Sequence, residues 1–322
     1  MILEKFLALI QQKIAEMNYG NDPHELYEPI QYLMDLGGKR LRPALTLLGA
    51  SLYTKNWEQT LLPAIGIEVF HNFTLMHDDI MDKAPIRRGK PTVHAKWNES
   101  VAILSGDVML VKAYELMIQV PDKHLRSVIQ SFNKCASEVC EGQQMDMSFE
   151  NKNDVTENEY LEMIRRKTAV LLGFALALGG ILADAPQEDI HLLRDLGENM
   201  GIGFQLKDDL LDVFGDADKV GKQVGGDIVA NKKTYLLIEA QERANKAQAQ
   251  LIQDWLANHH QPTEKVEAIK AIYQELDIEA ITQKKIQHFF DLSYTQLALI
   301  KLPESQKQSL KDFMDWLIDR EH

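Results

Sequence analysis

Apolar residues recur along this chain at three- and four-residue intervals, while sustained period-2 alternation with β-branched residues is hard to find. Side chains at that spacing line one face of a helix, so the pattern predicts an all-α protein. Helix punctuation agrees. Asp22-Pro23 reads as a cap followed by proline at the first helical position, and the helix it opens runs to a stop at Gly37-Gly38. Arg42-Pro43 opens the next, to about Tyr53, and an apolar run from Leu61 continues to Asp78. Thr156 and Glu159 form a capping box before a helix that is basic at Arg165, Arg166 and Lys167 and apolar from Thr168 to Ala183. That uncharged stretch is shorter than the ~20 residues of a membrane span, so it is expected to be a buried core helix. Ala185-Pro186 starts another helix, and breaks are expected near Gln261-Pro262 and Leu302-Pro303. The stretch from Gly215 to Lys233 mixes glycines with Asp and Lys and reads as a mobile loop of the kind that closes over a phosphate site. No Pro-, Ser- or Gly-rich linker interrupts the chain, which is therefore expected to form one domain over residues 1–322.

Composition narrows the partners. Apolar residues make up 45% of the 322, enough for a sizeable core. A net charge of −13 disfavours nucleic acid or an anionic membrane as a general partner, because both need a basic surface. Cys135 and Cys140 have no metal-type spacing and no second pair, so free thiols in a reducing cytoplasm are expected. Met1-Ile2-Leu3-Glu4-Lys5 becomes charged at once and has no signal-peptide apolar region.

Two acidic boxes of one pattern, Asp78-Asp79-Ile80-Met81-Asp82 and Asp208-Asp209-Leu210-Leu211-Asp212, stand far apart in the chain. On a helix the first and last carboxylates of each box are i and i+4 neighbours, a like-charge pairing that is unfavourable unless a cation sits there. Carboxylate oxygens suit Mg²⁺, which is usually held by one or two carboxylates together with the phosphates of a substrate. One such box alone is compatible with a solvated helix face. Both, however, border apolar residues, Phe70, Phe73 and Met76 for the first and Phe204, Leu206 and Leu210 for the second.

Basic residues accompany the boxes. Gly38-Lys39-Arg40-Leu41-Arg42 sets three cations beside a glycine pair, Arg87-Arg88-Gly89-Lys90-Pro91 forms a basic loop after the first box, and Lys222 and Lys232 follow the second. Arginine forks suit bidentate phosphate contacts and lysine supplies a compact charge. His71 lies seven residues before Asp78, hence on nearly the same helix face, where it serves either as a satisfied polar group or as a ligand.

In these blocks the chain resembles the trans-prenyl diphosphate synthases, or polyprenyl synthetases. The blocks are Gly37-Gly38-Lys39-Arg40-Leu41-Arg42-Pro43, His77-Asp78-Asp79-Ile80-Met81-Asp82 with Arg87 to His94, Lys167-Thr168-Ala169, Gly203 to Asp212, and Gly221-Lys222 with Gly225-Gly226-Asp227-Ile228. Beyond Lys233 the likeness is one of helical character. The resemblance implies a bundle of many helices around a central elongated cavity, of the isoprenoid synthase type, usually a homodimer. It implies Mg²⁺-dependent head-to-tail condensation of isopentenyl diphosphate with an allylic diphosphate, whether dimethylallyl, geranyl or farnesyl.

By the same resemblance, Asp78, Asp82 and Asp208 hold about three Mg²⁺ ions on the allylic diphosphate, which Arg87, Lys167, Lys222 and Lys232 also grip. Asp79 and Asp209 are weaker candidates for direct ligation. Gly38, Lys39, Arg42, His71 and Arg88 form a metal-free site for isopentenyl diphosphate, with Arg40 less certain. Thr168 and Gln205 steady the allylic cation through oxygen dipoles. The residues about one turn before the first box, Phe73 and Thr74, form the floor of the tail pocket. An aromatic floor and the absence of the two-residue insertion found in many bacterial farnesyl-forming enzymes favour a C20 product over C15. Two other readings stay open: a class I terpene cyclase, whose second metal motif is typically of Asn/Ser/Glu type, and a noncatalytic subunit that modulates another synthase, whose acidic boxes are commonly damaged.

Overall fold

Helix after helix forms where the periodicity places it. The computed structural model describes residues 2–152, 154–215, 225–257 and 261–319. Helices α1 (Ile2–Glu16), α2 (His24–Asp35) and α3 (Leu41–Ser51) lead through a 3-10 turn, Trp57–Thr60, into the long α4 (Leu61–Met81). A hairpin of β1 (Ile86–Arg87) and β2 (Lys90–Pro91) follows, with Ile86 opposite Pro91 and Arg87 opposite Lys90. It is the only sheet among the described residues. Next come α5 (Val93–Lys96), α6 (Glu99–Met117), α7 (Asp122–Phe149) and α8 (Glu157–Ile164), then a π-helical turn at Arg165–Ala169, α9 (Val170–Leu182) and α10 (Gln187–Phe214). The rest comprises α11 (Gly226–Val229), α12 (Tyr235–Arg243), α13 (Lys246–Ala257), α14 (Pro262–Glu275), α15 (Ile278–Leu299) and α16 (Glu304–Asp319). The all-α expectation is met.

Local chemistry accounts for most boundaries. Thr156 accepts from the Glu159 N–H while the Glu159 carboxylate accepts from the Thr156 N–H, so the capping box opens α8 as expected. Pro262 and Glu304 begin helices directly after the predicted breaks. Pro23 is displaced by one position: it is the N-cap of α2, extended at φ −72° and ψ 141°, rather than its first helical residue. The apolar helix expected from Thr168 to Ala183 is shorter, because the π turn takes up Thr168 and Ala169. Of the expected loop from Gly215 to Lys233, residues 216–224 lie outside the described residues and Gly226–Val229 forms a helical turn.

The chain divides into two compact units. The first comprises Met1–Cys135, Phe174–Arg194 and Ile300–Leu310. Its core forms where α4 packs against α6 and α3, burying Ile65, Val69, Phe70, Phe73 and Met76. Phe70 meets Phe132 edge-on at 5.2 Å between centroids, and Phe132 lies 5.8 Å from Phe174. Each such fully buried apolar side chain contributes about 1.5–3 kcal/mol. The second unit comprises Ala136–Gly173, Asp195–Leu299 and Lys311–His322, where α12 packs on α15, α8 and α14 around Tyr235, Leu236 and Phe290. Among the described residues no helix is long and apolar enough to cross a membrane.

Candidate active site

In the first unit, α4 carries His71, Phe73, Thr74, Asp78 and Asp79, and Asp82 caps its C-terminal end. The three carboxylates of the box differ in surroundings. Asp82 is exposed, Asp78 is half-buried and Asp79 is buried. Asp79 faces the hairpin, where Arg87 Nε lies 2.9 Å from both of its oxygens and Nη2 lies 2.8 Å from Oδ1. Arg87 Nη2 is also 3.9 Å from Asp78 Oδ2. Burial pushes the Asp79 carboxyl upward against the opposing pull of Arg87.

The basic loop expected after the box is a tight hairpin. Arg88 and Gly89 both have positive φ, 51° and 72°, as a type I′ turn requires. Thr92 ties its base, donating from Oγ1 to Ala84 O at 2.7 Å, and Tyr32 of α2 donates to Pro91 O at 2.8 Å. The turn sends Arg87 toward the acid box and Arg88 toward the glycine pair, where it donates to Gly37 O. A side chain at Gly38, whose φ is +138°, would place Cβ only 2.9 Å from Arg88 Nη2.

His71 lies within a field of arginines. Arg42 Nη1 is 3.0 Å from His71 Nε2, and since a guanidinium can only donate, that nitrogen accepts and the imidazole is neutral with its proton on Nδ1. Burial, then Arg42, Arg88, Arg87 and Arg40, hold its pKa well below the ordinary histidine value. Gly38, Arg42, His71 and Arg88 are brought together, and Lys39 is exposed next to Gly38. Arg40 turns inward instead. It pairs with Glu68 at 2.6 Å and donates to Met34 O at 2.6 Å, both partners of the ion pair being almost fully buried. Phe73 is buried between Phe70 and His77, with centroids 5.6 and 4.8 Å away, and Thr74 donates to His71 O at 2.7 Å.

In the second unit, the π turn presents Lys167 and Thr168. Lys167 Nζ lies 2.5 Å from Asp146 Oδ2 of α7. Thr168 donates to Gln205 Oε1 at 3.1 Å, Gln205 Nε2 donates to Asp209 Oδ1 at 3.0 Å, and the Tyr160 hydroxyl donates to Asp209 Oδ2. Asp209 is therefore the buried hub of a polar chain, and burial with the nearby Asp227 charge pushes its carboxyl up to about 7. Asp208 stays half-buried. Asp212 serves the following segment: its Oδ2 accepts from the Asp227 N–H at 3.0 Å and its carbonyl accepts from the Gly225 N–H at 2.6 Å. Lys232 is exposed, 3.7 Å from Asp227, and Lys222 lies outside the described residues.

Among the described residues no three His, Cys, Asp or Glu side chains close on one metal position. Asp78 and Asp82 at the end of α4 in the first unit, and separately the half-buried Asp208 of α10 in the second, carry hard oxygen donors of the kind that suits Mg²⁺. Sequence reasoning missed Asp146 and Tyr160. The available signal for Asp146 was weak: polar residues at Gln143 and Asp146, three apart, within an otherwise amphipathic helix.

The chain is similar to known proteins in sequence and in fold. The chain matches the polyprenyl synthetase family over residues 23–276. It is 44% identical to the geranylgeranyl diphosphate synthase of Methanosarcina mazei over 226 residues, 70% of each chain. It is 35% identical to the geranylgeranyl pyrophosphate synthase of Geoglobus acetivorans over 325 residues, covering 100% of this chain and 99% of that one. A crystal structure of a geranylgeranyl pyrophosphate synthase superposes with a TM-score of 0.94 at 40% identity over 99% of both chains. With the family match spanning most of the sequence and the Geoglobus acetivorans relative covering its whole length, the chain belongs to the polyprenyl synthetase family.

Proposed function

We propose that this protein joins isopentenyl diphosphate head to tail to an allylic diphosphate (dimethylallyl, geranyl or farnesyl), giving a short all-trans prenyl diphosphate with C20 favoured over C15. The observation that supports the reading is that one unit holds two side-chain groups of opposite charge, each of a kind suited to diphosphate. Asp78 and Asp82 offer carboxylates for a metal-bound diphosphate. Arg42 lies against the neutral His71, and Arg88, which contacts the Gly37-Gly38 backbone, adds to the positive field there, an arrangement suited to a metal-free anion site. A class I terpene cyclase uses one diphosphate and has no need of the second group. A noncatalytic subunit has no need of two intact boxes.

Asp78, Asp82 and Asp208 are assigned to about three Mg²⁺ ions, whose charge would offset that developing on the departing diphosphate. Arg87, Lys167, Lys222 and Lys232 are assigned to the same allylic diphosphate, and Gly38, Lys39, Arg42, His71 and Arg88 to isopentenyl diphosphate. Thr168 gives its proton to Gln205, so the lone pairs of its oxygen remain available to an adjacent carbocation. Gln205 is held by Asp209 in the orientation that accepts this proton. Neither group is a strong nucleophile, which suits a site that must not capture the cation. Phe73 and Thr74 are assigned to the floor of the tail pocket.

We assign the chain to the cytoplasm and to a homodimer. Supporting the latter, Leu104, Val111 and Ile118 succeed one another at seven-residue spacing along α6 and its C-cap and are 57%, 56% and 51% exposed. Incubation of the purified chain with Mg²⁺, labelled isopentenyl diphosphate and each allylic primer tests the activity. A C20 diphosphate as the main product is expected. Cyclic hydrocarbon formed without isopentenyl diphosphate, or turnover only with a second polypeptide, would overturn it.

A further inference from the structure

The π turn at Arg165–Ala169 is held by a set of contacts that the proposed reaction does not use. Its defining bond runs from the Val170 N–H to Arg165 O, five residues apart, so one residue more than an α-turn is accommodated and the side chains after it are rotated to a different face. Two helix backbones press on the turn. A Cβ at Gly142 of α7 would lie 2.2 Å from the Lys167 nitrogen, and one at Gly201 of α10 would lie 2.6 Å from Ala169 Cα. Only glycine allows either approach.

Arg165 ties the same three elements together. Nη2 lies 3.3 Å from Glu138 of α7, Nη1 lies 3.1 Å from Glu198 of α10, and Nε and Nη2 lie 2.8 and 3.0 Å from the two oxygens of Glu162 in α8. Arg166 shares Glu162 at 2.6 Å and adds Glu141 of α7. All of these residues belong to the second unit. The guanidinium fork is thus spent on three carboxylates from three helices, a geometry that lysine cannot reproduce. Two and three residues later, Lys167 meets Asp146 and Thr168 meets Gln205.

We infer that Arg165 is a positioning residue: by clamping the π turn to α7 and α10 it sets the places of Lys167 and Thr168, and through them the rate of allylic ionisation. The inference rests on the assignment of Lys167 and Thr168 to the allylic group. Arg165 itself touches no substrate. These ion pairs are half-buried and join three helices at the turn, so the consequence argued for the clamp is registration of the turn.

The test uses the full chain with Arg165→Met, Arg165→Lys and Glu198→Gln, the last removing one arm only and guarding against a misfolded Arg165→Met. Steady-state rates are measured with both diphosphates varied, at a temperature well below each variant's Tm, and Lys167→Ala is run alongside. Arg165→Met is expected to lower kcat by about tenfold or more with the KM for isopentenyl diphosphate within about twofold, because small displacements of positioning groups are costly. Arg165→Lys should recover only a minor part, and Glu198→Gln should fall between it and the unaltered protein. The share of allylic diphosphate hydrolysed without chain extension should rise in the order of lost kcat. A folded Arg165→Met, or a Glu198→Gln variant where Arg165→Met does not fold, whose kcat and hydrolysis share match those of the unaltered protein would overturn the positioning role. Unaltered turnover in Lys167→Ala would instead overturn the assignment beneath it, and the inference with it.

Discussion

Asp79 holds Arg87 in a fork, Nε 2.9 Å from both carboxylate oxygens and Nη2 2.8 Å from one of them, with the aspartate buried beneath the hairpin. The middle residue of the second box does the same for its surroundings, since Asp209 takes the Tyr160 hydroxyl and the Gln205 amide. Each box thus divides its labour: the middle carboxylate faces inward and organises neighbours, while the first is left half-buried at the surface.

Replacing Asp79 by Asn keeps the volume and removes the charge. A hydrogen bond to a charged group is worth about 1.5–3 kcal/mol, so the KM for the allylic diphosphate is expected to rise about tenfold or more as Arg87 loses its orientation. The Mg²⁺ concentration for half-maximal rate should stay near that of the unaltered protein, whereas Asp78→Asn should raise it. Titration of activity against Mg²⁺ in both variants separates the roles. A raised Mg²⁺ requirement with unaltered allylic KM in Asp79→Asn would make Asp79 a metal ligand.

Arg40 and Glu68 form an almost fully buried ion pair in the first unit, at 2.6 Å. Arg40→Met leaves an uncompensated buried carboxylate and is expected to cost about 3–5 kcal/mol, while Arg40→Met with Glu68→Leu should cost clearly less. Urea unfolding of the three proteins measures it. Equal losses in the single and double variants would show that the pair is valued for Arg40's contact with the Met34 carbonyl alone.

How much of this was legible in the sequence depends on the range of the interaction. Thr156 and Glu159 announce the start of α8 because both halves of the capping box lie within one turn. The boxes were legible as patterns, and the all-α class followed from spacing. Arg87's partner was not, because its direction depends on a turn with positive φ at a non-glycine residue, Arg88. Tyr160 and Asp209 are 49 positions apart, and no local pattern joins them. The π turn was invisible for a similar reason: Arg165 to Ala169 are compatible with an ordinary helix, and the extra residue is accommodated by Gly142, Gly201 and carboxylates on other helices.

His71 makes stability fall on the acid side. Its folded pKa lies well below the ordinary value, so as pH drops below about 6.5 the unfolded chain takes up a proton that the folded chain refuses. Above that range both states are neutral and the group contributes no pH dependence. Relative to a His71→Asn variant, the unaltered protein should lose stability at up to about 1.4 kcal/mol per pH unit below pH 6.5. Urea midpoints of both proteins between pH 7.5 and 5 test the slope. Parallel curves would mean that His71 protonates freely in the fold.

The length of the product should turn on Phe73. Its ring is 9% exposed and is flanked by Phe70 and His77, and His77 is itself fixed by a 3.1 Å contact from Nε2 to the Ile103 carbonyl of α6. With Phe73 at the floor of the tail pocket, as proposed, a ring held on both sides would stop a growing isoprenoid tail. Phe73→Ala opens space along α4 and is expected to move the main product from C20 to C25 and beyond, at a stability cost of about 3–5 kcal/mol that calls for assay at moderate temperature. Thr74→Ala should shift the distribution less, because the Thr74 hydroxyl is spent on the His71 carbonyl and its side chain is small. Chromatography of the dephosphorylated products from farnesyl diphosphate and isopentenyl diphosphate reads both variants directly. If Phe73→Ala still stops at C20 with normal turnover, the floor of the pocket is built by other residues, and the aromatic ring is core alone.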